Sequence, residues 1–178
     1  MAYLLDTNIV SEARKPTANL GVRTWLASVP DEELYLSVLV VGEIRQGIER
    51  LRRRDPAQVV VLETWLSTLI RDYADRILPV TAEVAEEWGR LNVPDPLPVI
   101  DGLMAATAKL RGWTLVTRNV ADLARAGVRL LNPFDPESWQ QGTSSGARSE
   151  AVSRLRELAG TLDIDDESSS LRRQDRHT

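Results

Sequence analysis

The sequence predicts an α/β fold in which a parallel sheet is covered by helices on both faces. Short apolar segments alternate with longer segments whose apolar residues recur at helical spacing. Strands separated by helices of this length form βαβ units, whose consecutive strands run parallel. The first apolar segment stops abruptly at Asp6. Ligand sites of open parallel sheets lie beyond the carboxyl ends of their strands, so we expect Asp6 to lie at such a site.

Five short apolar segments are the predicted strands. They span residues 3–5, 34–36, 76–81, 113–117 and 128–134. The second of them is expected to convert directly into a helix at Ser37, since apolar residues then recur on one helical face. That face carries Val40, Ile44, Gly47, Ile48 and Leu51.

The predicted helices begin and end at residues suited to those positions. Asp6 provides N-cap chemistry for the first helix, Pro30 ends the second, Thr81 is a predicted N-cap, and Gly112 is a predicted C-cap. The helices span residues 6–14, 19–29, 37–54, 57–74, 81–92 and 100–112, with a short helix within 118–127.

Composition limits the kind of protein this is. The 178 residues are 43% hydrophobic and 27% charged, as in a soluble globular protein with a real core. The chain lacks a signal-peptide pattern and an uncharged apolar run long enough for a transmembrane helix, so we expect no membrane association. Cysteine is absent, which excludes disulfides and thiolate metal sites and is compatible with a cytoplasmic location.

The composition changes after Trp139. Residues 141–178 hold six arginines, seven acidic residues and no Phe, Tyr or Trp. We therefore expect a folded domain over residues 1–139 and a polar, largely disordered tail over residues 140–178, with one short helix around 149–159.

Three acidic residues stand in apolar surroundings. Taken singly, Asp6 and Asp101 could be helix caps, and Glu43 could be an exposed helical glutamate. A parallel sheet, however, brings the end of its first strand and the starts of the surrounding helices to one edge. Three carboxylates converging there would repel one another unless a cation neutralised them. These hard oxygen donors favour Mg²⁺ or Mn²⁺, which would then carry water and phosphate oxygens.

A fourth polar region follows the predicted strand 113–117. Asn119 could be a turn residue and Asp122 a helix cap, but either could also complete the ligand set. Further polar residues near the predicted strand ends could orient the ligands or the substrate, or could serve only as caps and turn residues. They are Thr7, Asn8, Ser37 and Thr117.

Four motifs in order carry a resemblance to a known family. They are "LLDTN", "SVLVVGEIRQG", "IDGLMAATA" and "TLVTRNVADLARAGVRLLNP". Over residues 1–136 the chain resembles PIN-domain proteins, and more narrowly the VapC toxin ribonucleases of bacterial toxin–antitoxin pairs, including the FitB-like branch. The resemblance implies an α/β/α sandwich and a metal-dependent endoribonuclease, in which Mg²⁺ or Mn²⁺ activates a water that attacks an RNA phosphodiester.

The resemblance also assigns roles to residues. Asp6 and Asp101 match the principal metal ligands, and Glu43 matches the acid of the second motif. The fourth position departs from the fullest pattern. Some members place an aspartate where this chain has Asn119, and others supply the acid three residues later, as Asp122 could do here. The resemblance therefore leaves open which of the two completes the site, and whether one metal or two bind.

Partners are implied by the same resemblance. Toxins of this kind usually form homodimers and are held inactive by a small VapB-like antitoxin, through which the pair also binds operator DNA. The antitoxin lays a helix or an extended tail over the active site. The segments around Trp25 and Trp65 could supply grooves for it, or the two tryptophans could simply be part of the core.

Other functions fit the sequence less well. His177, near the end of the predicted tail, is the sole histidine, so a Ser-His-Asp mechanism lacks its base. Receiver domains need paired acids after the first strand and a suitably placed late lysine, and haloacid-dehalogenase-like phosphatases need a second aspartate where "DTNIV" has Asn8. The remaining alternative is a catalytically weak PIN-like scaffold that acts by binding an antitoxin and operator DNA.

Overall fold

The computed structural model describes residues 1–135 and 137 of the chain, and its centre is a five-stranded sheet. Every pair of neighbouring strands is parallel, as the sequence predicts. The strands are β1 (Tyr3–Leu5), β2 (Leu34–Ser37), β3 (Ile77–Leu78), β4 (Thr114–Val116) and β5 (Arg129–Leu131). The predicted tail, residues 140–178, and its short helix lie outside the described residues.

Seven α-helices connect the strands in the described part of the chain. They are α1 (Thr7–Ala13), α2 (Leu20–Ser28), α3 (Val38–Leu51), α4 (Pro56–Asp72), α5 (Ala82–Leu91), α6 (Val99–Arg111) and α7 (Val120–Leu123). Single 3₁₀ turns cover Asp31–Glu33, Ala74–Arg76 and Ala124–Ala126. Among these helices, none combines the length and the apolar character that crossing a bilayer requires.

The strand order places a topological switch point beside β1. The sheet runs β3-β2-β1-β4-β5, so the chain builds outward from β1 on one side and then returns to add β4 and β5 on the other. Ligand sites of open α/β sheets lie at the carboxyl ends of the strands where this reversal occurs. The residues that follow β1 and β4 therefore share the most favourable position for a site.

Side-chain caps explain several helix starts. Asp6, Asn19, Ser37 and Thr81 each accept a hydrogen bond from a backbone N–H of the first turn that follows them. At the other end of α6, Gly112 adopts the left-handed conformation with φ of 65°, which glycine reaches without steric cost. The predicted caps at Asp6, Thr81 and Gly112 are confirmed.

The core decides one open alternative of the sequence analysis and corrects two details of α3. Trp25 and Trp65 are only 2% and 3% exposed, so both are core residues and neither ring supplies a groove. On α3, Val40, Ile44 and Ile48 are buried, as expected. Gly47 is exposed, because it lies past the edge of that apolar face. The helix ends at Leu51, and residues 52–54 form a turn before α4.

Candidate active site

Asp6 follows β1 directly and is held by three donors. Its Oδ1 accepts a hydrogen bond of 2.6 Å from the backbone N–H of Thr7, which makes it the N-cap of α1. Its Oδ2 accepts 2.6 Å hydrogen bonds from the Asn8 amide and from the Thr117 hydroxyl. Asp6 is only 8% exposed. Capping accounts for one of its oxygens, and the other is fixed by side chains that have no part in the cap.

Thr117 joins the loop after β4 to the loop after β1. It is fully buried, and its hydroxyl oxygen accepts hydrogen bonds from the Asn119 backbone N–H (3.0 Å) and the Asn8 amide (3.2 Å) while donating to Asp6. Asn8 in turn accepts a 3.2 Å hydrogen bond from the backbone N–H of Arg118. This network fixes the two loops relative to each other at the switch point.

Glu43 reaches the same place from α3. Ser37 is buried at the end of β2 and caps α3 by accepting a hydrogen bond from the Leu39 N–H. One turn further along, Glu43 accepts a 2.5 Å hydrogen bond from the Thr7 hydroxyl. Thr7 therefore contacts both acids, Asp6 through its backbone N–H and Glu43 through its side chain.

Asp101 lies in the first turn of α6 but does not cap it. The N-cap position belongs to Pro98, whose side chain makes no capping hydrogen bond, so the capping alternative for Asp101 is wrong. Its carboxylate is partly exposed and accepts a long, 3.5 Å hydrogen bond from the Asn119 amide. Asn119 occupies the N-cap position of α7 without capping it, and its side chain is directed to Asp101 instead.

Asp122 is less closely connected to the site than Asn119. It is exposed on α7, where it lies within the helix and does not cap it. It acts on Asp101 through its charge, which helps to raise the pKa of the Asp101 carboxyl. Of the two candidates for the fourth position, Asn119 makes the direct contact.

Negative charge at this edge is uncompensated. Burial raises the pKa of Asp6, and the charge of Glu43 raises it further, although hydrogen bonds from Thr117, Thr7 and Asn8 act in the opposite direction. Burial also raises the pKa of Asp101, and so does the charge of Asp6. Within the described residues, the acids of the site form no ion pair with a basic side chain.

The donor set suits a hydrated hard cation rather than a closed protein cage. In the described residues, no three carboxylate, imidazole or thiol groups are close enough to hold one ion together. Mg²⁺ typically keeps several waters and uses one or two carboxylates, so Asp6 and Asp101 could hold it without a third acid. The amide of Asn119 offers a further oxygen beside Asp101.

Sequence reasoning missed one residue at this edge. Arg118 lies between Thr117 and Asn119, is exposed, and places its guanidinium carbon 3.8 Å from the centre of the Phe134 ring. The "TRN" triplet offered a signal, because a basic residue stands between two residues of the acidic site. The contact with Phe134 could not be predicted, because it depends on the pairing of β4 with β5.

Comparisons with known proteins identify a family for this chain. The family described as PIN domain matches residues 3–128. The toxin FitB of Neisseria gonorrhoeae is 33% identical over 136 residues, which are 74% of this chain and 97% of FitB. A VapC ribonuclease, Y4jK of Sinorhizobium fredii, is 30% identical over 141 residues, which are 75% of this chain and 98% of that protein.

Solved structures resemble the fold over the same region. The crystal structure of FitAcB from Neisseria gonorrhoeae matches with a TM-score of 0.69 at 33% identity, covering 74% of this chain and 98% of that one. A structure of FitAB bound to a DNA fragment matches with a TM-score of 0.68, covering 75% of this chain and 96% of that one.

Proposed function

The chain belongs to the PIN-domain family, and on that premise we propose that it is an endoribonuclease, the toxin of a toxin–antitoxin pair. The proposal depends on one observation above all. Asp6 after β1, Glu43 on α3 and Asp101 on α6 lie at one edge of the sheet, and none of them forms an ion pair with a basic side chain in the described residues. Thr7 contacts Asp6 and Glu43, and Asn119 contacts Asp101. Two of the relatives that match almost over their full length are, by name, a toxin and a ribonuclease.

Mg²⁺ or Mn²⁺ is the cofactor that fits this site. Asp6 and Asp101 would be its principal ligands, with Glu43, Asn119 and Asp122 around them. A bound divalent ion lowers the pKa of its water and stabilises charge on the phosphate oxygens. The chain's own contribution is to fix the donors. Asp6 cannot rotate freely, since both of its oxygens are hydrogen-bonded.

Other residues orient the acids. Thr7 holds the Glu43 carboxylate, and Asn119 holds one oxygen of Asp101. Thr117 and Asn8 keep Asp6 facing the loop after β4. Ser37 has a different role, because it caps α3 and thereby fixes the start of the helix that carries Glu43.

The partners follow from the family and the relatives. We propose that a VapB-like antitoxin inhibits this chain, that the pair binds operator DNA through the antitoxin, and that the toxin forms a homodimer in the cytoplasm. Structures of FitAB bound to DNA and of FitAcB support such a complex by similarity.

The test is RNA cleavage by the purified full chain without antitoxin. We expect cleavage with Mg²⁺ or Mn²⁺, none with EDTA, and a loss of at least roughly a hundredfold in Asp6→Ala. Glu86→Ala is the matched control, because this acidic side chain is exposed on α5 and is expected to keep full activity. A folded, metal-loaded protein that cleaves no RNA would instead support the scaffold alternative.

A further inference from the structure

We propose that Arg118 binds an RNA phosphate flanking the scissile bond and that Phe134 holds its side chain in position to do so. This inference rests on the proposed ribonuclease activity and adds a substrate-binding residue to it. Arg118 immediately follows Thr117, which contacts Asp6, and immediately precedes Asn119, which contacts Asp101. Its backbone is fixed as well, since its N–H donates to Asn8.

The guanidinium of Arg118 is available to a ligand. It is exposed and forms neither an ion pair nor a side-chain hydrogen bond within residues 1–135 and 137. It does influence Glu12 on α1. Burial raises the pKa of Glu12, but hydrogen bonds from the Asn19 N–H and Lys15 and the charges of Lys15 and Arg118 lower it overall. An arginine whose role was to neutralise the acids of the site would be expected to pair with one of them. Arg118 instead leaves all five of its N–H donors available for a planar, bidentate contact of the kind that phosphate accepts.

Phe134 supplies the support for this side chain. The guanidinium lies over the ring at 3.8 Å, which lowers the entropy that Arg118 would lose on binding. Phe134 is partly buried against the hydrophobic core, and the backbone that carries its ring is anchored. The Phe134 N–H donates to the Asn132 side chain at 3.1 Å, and Pro133 is buried with its carbonyl oxygen packed against Gly21 of α2. A side chain at position 21 would clash with that carbonyl, so the glycine permits the close approach.

The negative charge of the protein explains why RNA binding would need a basic residue near the site. The protein carries a net charge of −4, and the acids of the site add local repulsion against a polyanion. A cation held by Asp6 and Asp101 would favour only the phosphate that it contacts. Arg118 follows Thr117 and precedes Asn119 in the chain, and its guanidinium is not paired with the acids. It would favour the neighbouring phosphate and set the register of the strand.

The experiment measures RNA binding separately from cleavage. Full chains carrying Asp6→Asn, which prevents cleavage, are titrated with a fluorescein-labelled single-stranded RNA 12-mer in Mg²⁺. We expect Arg118→Ala to raise Kd about tenfold, as for a lost charge-assisted hydrogen bond, and Arg118→Lys to raise it less. The slope of log Kd against log salt should fall by about 0.7 in Arg118→Ala, which corresponds to one phosphate contact on a single strand.

Matched variants test the geometry. Arg129→Ala removes an exposed arginine from the amino end of β5, at the opposite edge of the sheet, and is expected to leave Kd within twofold. Phe134→Leu should raise Kd about threefold, and Phe134→Tyr, which keeps the ring, should restore binding. Equal effects of Arg118→Ala and Arg129→Ala, or none from Arg118→Ala in a folded protein, would overturn the proposal.

Cleavage assays separate this inference from the proposed function. With Asp6 intact, Arg118→Ala should raise KM while changing kcat by less than about threefold. Metal-dependent cleavage with an unchanged KM would contradict the role of Arg118 and leave the ribonuclease standing. If RNA binding depends on Arg118 but the protein cleaves no RNA, the role of Arg118 stands and the proposed ribonuclease activity is contradicted.

Discussion

Thr117 connects the two loops of the site through one buried hydroxyl. The hydroxyl donates to Asp6 and accepts from Asn8 and the Asn119 N–H, so it influences acids on both sides of the switch point. Valine has nearly the same shape and no hydroxyl. Thr117→Val should cost about 1–3 kcal/mol of stability, because buried donors lose their acceptor. It should also weaken metal affinity or cleavage by roughly 10–100-fold, as for residues that orient ligands.

Thr107→Val is the matched control for that experiment. Thr107 is also buried, at 1% exposure, but its hydroxyl donates to the Leu103 carbonyl within α6. We expect this variant to lose some stability and to keep its activity. Chemical denaturation and Mn²⁺ titration would be measured on both variants. An activity loss of the same size in both would mean that Thr117 acts only through stability.

At the residue scale, the sequence was enough to identify candidate site residues but not the contacts that they make. Asp6 was recognisable because a carboxylate after a buried strand needs an explanation, and the structure confirms that it also caps α1. The choice between Asn119 and Asp122 could not be made, because it depends on which side chain the turn before α7 directs toward α6. Arg118 was missed for a similar reason, since Phe134 is distant in sequence.

Close packing of α5 on α6 explains the glycine that follows Asp101. A Cβ atom added at Gly102 would lie 2.9 Å from Cδ1 of Trp88 and 3.3 Å from Cβ of Leu97. Gly102→Ala should therefore destabilise the protein by about 1–3 kcal/mol, despite the better helix propensity of alanine. Urea denaturation of the purified full chain measures the effect.

Gly47→Ala gives the opposite expectation in the same experiment. A Cβ atom at Gly47 would meet nothing within 4 Å, and the residue is exposed on α3. Alanine should therefore stabilise the protein by about 0.5–1 kcal/mol. If both substitutions were stabilising, the contact between Gly102 and Trp88 would be too loose to explain why glycine occupies that position.

At the element scale, periodicity predicted where helices and strands occur but not how far they extend. The third predicted strand, residues 76–81, is reduced to Ile77–Leu78. Pro79 follows it directly and has no N–H for the ladder, and β3 is an edge strand with one neighbour. The third helix was expected to reach residue 54 and ends at Leu51, because apolar spacing does not specify where a helix unwinds into a turn.

At the scale of the whole molecule, alternation of strands and helices was sufficient to predict a parallel sheet. Strand order was not predictable in the same way, because alternation does not determine on which side of β1 a later strand adds. The order β3-β2-β1-β4-β5 is what brings Thr117 beside Asp6. The sequence thus identified the candidate residues, and the strand order explains why they lie close together.

Uncompensated charge at the switch point should make the stability of the whole domain depend on a divalent cation. A ligand that binds only the folded state stabilises it by about 2.7 kcal/mol at a concentration of 100 times its Kd. For a chain of this size, Mn²⁺ should therefore raise Tm by about 5–10 °C relative to EDTA. Asp101→Asn should instead stabilise the protein in EDTA and remove most of the stabilisation by Mn²⁺. Burial and the charges of Asp6 and Asp122 raise the pKa of Asp101, so its ionised form opposes folding.

The Asp101→Asn variant is therefore expected to have a higher Tm than the parent in EDTA and to gain little from Mn²⁺. Asp95→Asn, which changes an exposed aspartate in the loop before α6, should behave like the parent in both conditions. Thermal unfolding of the three proteins with EDTA and with Mn²⁺ makes the comparison. An equal rise of Tm with Mn²⁺ in all three would place the ion elsewhere, and a variant less stable than the parent in EDTA would mean that the Asn119 contact outweighs the repulsion.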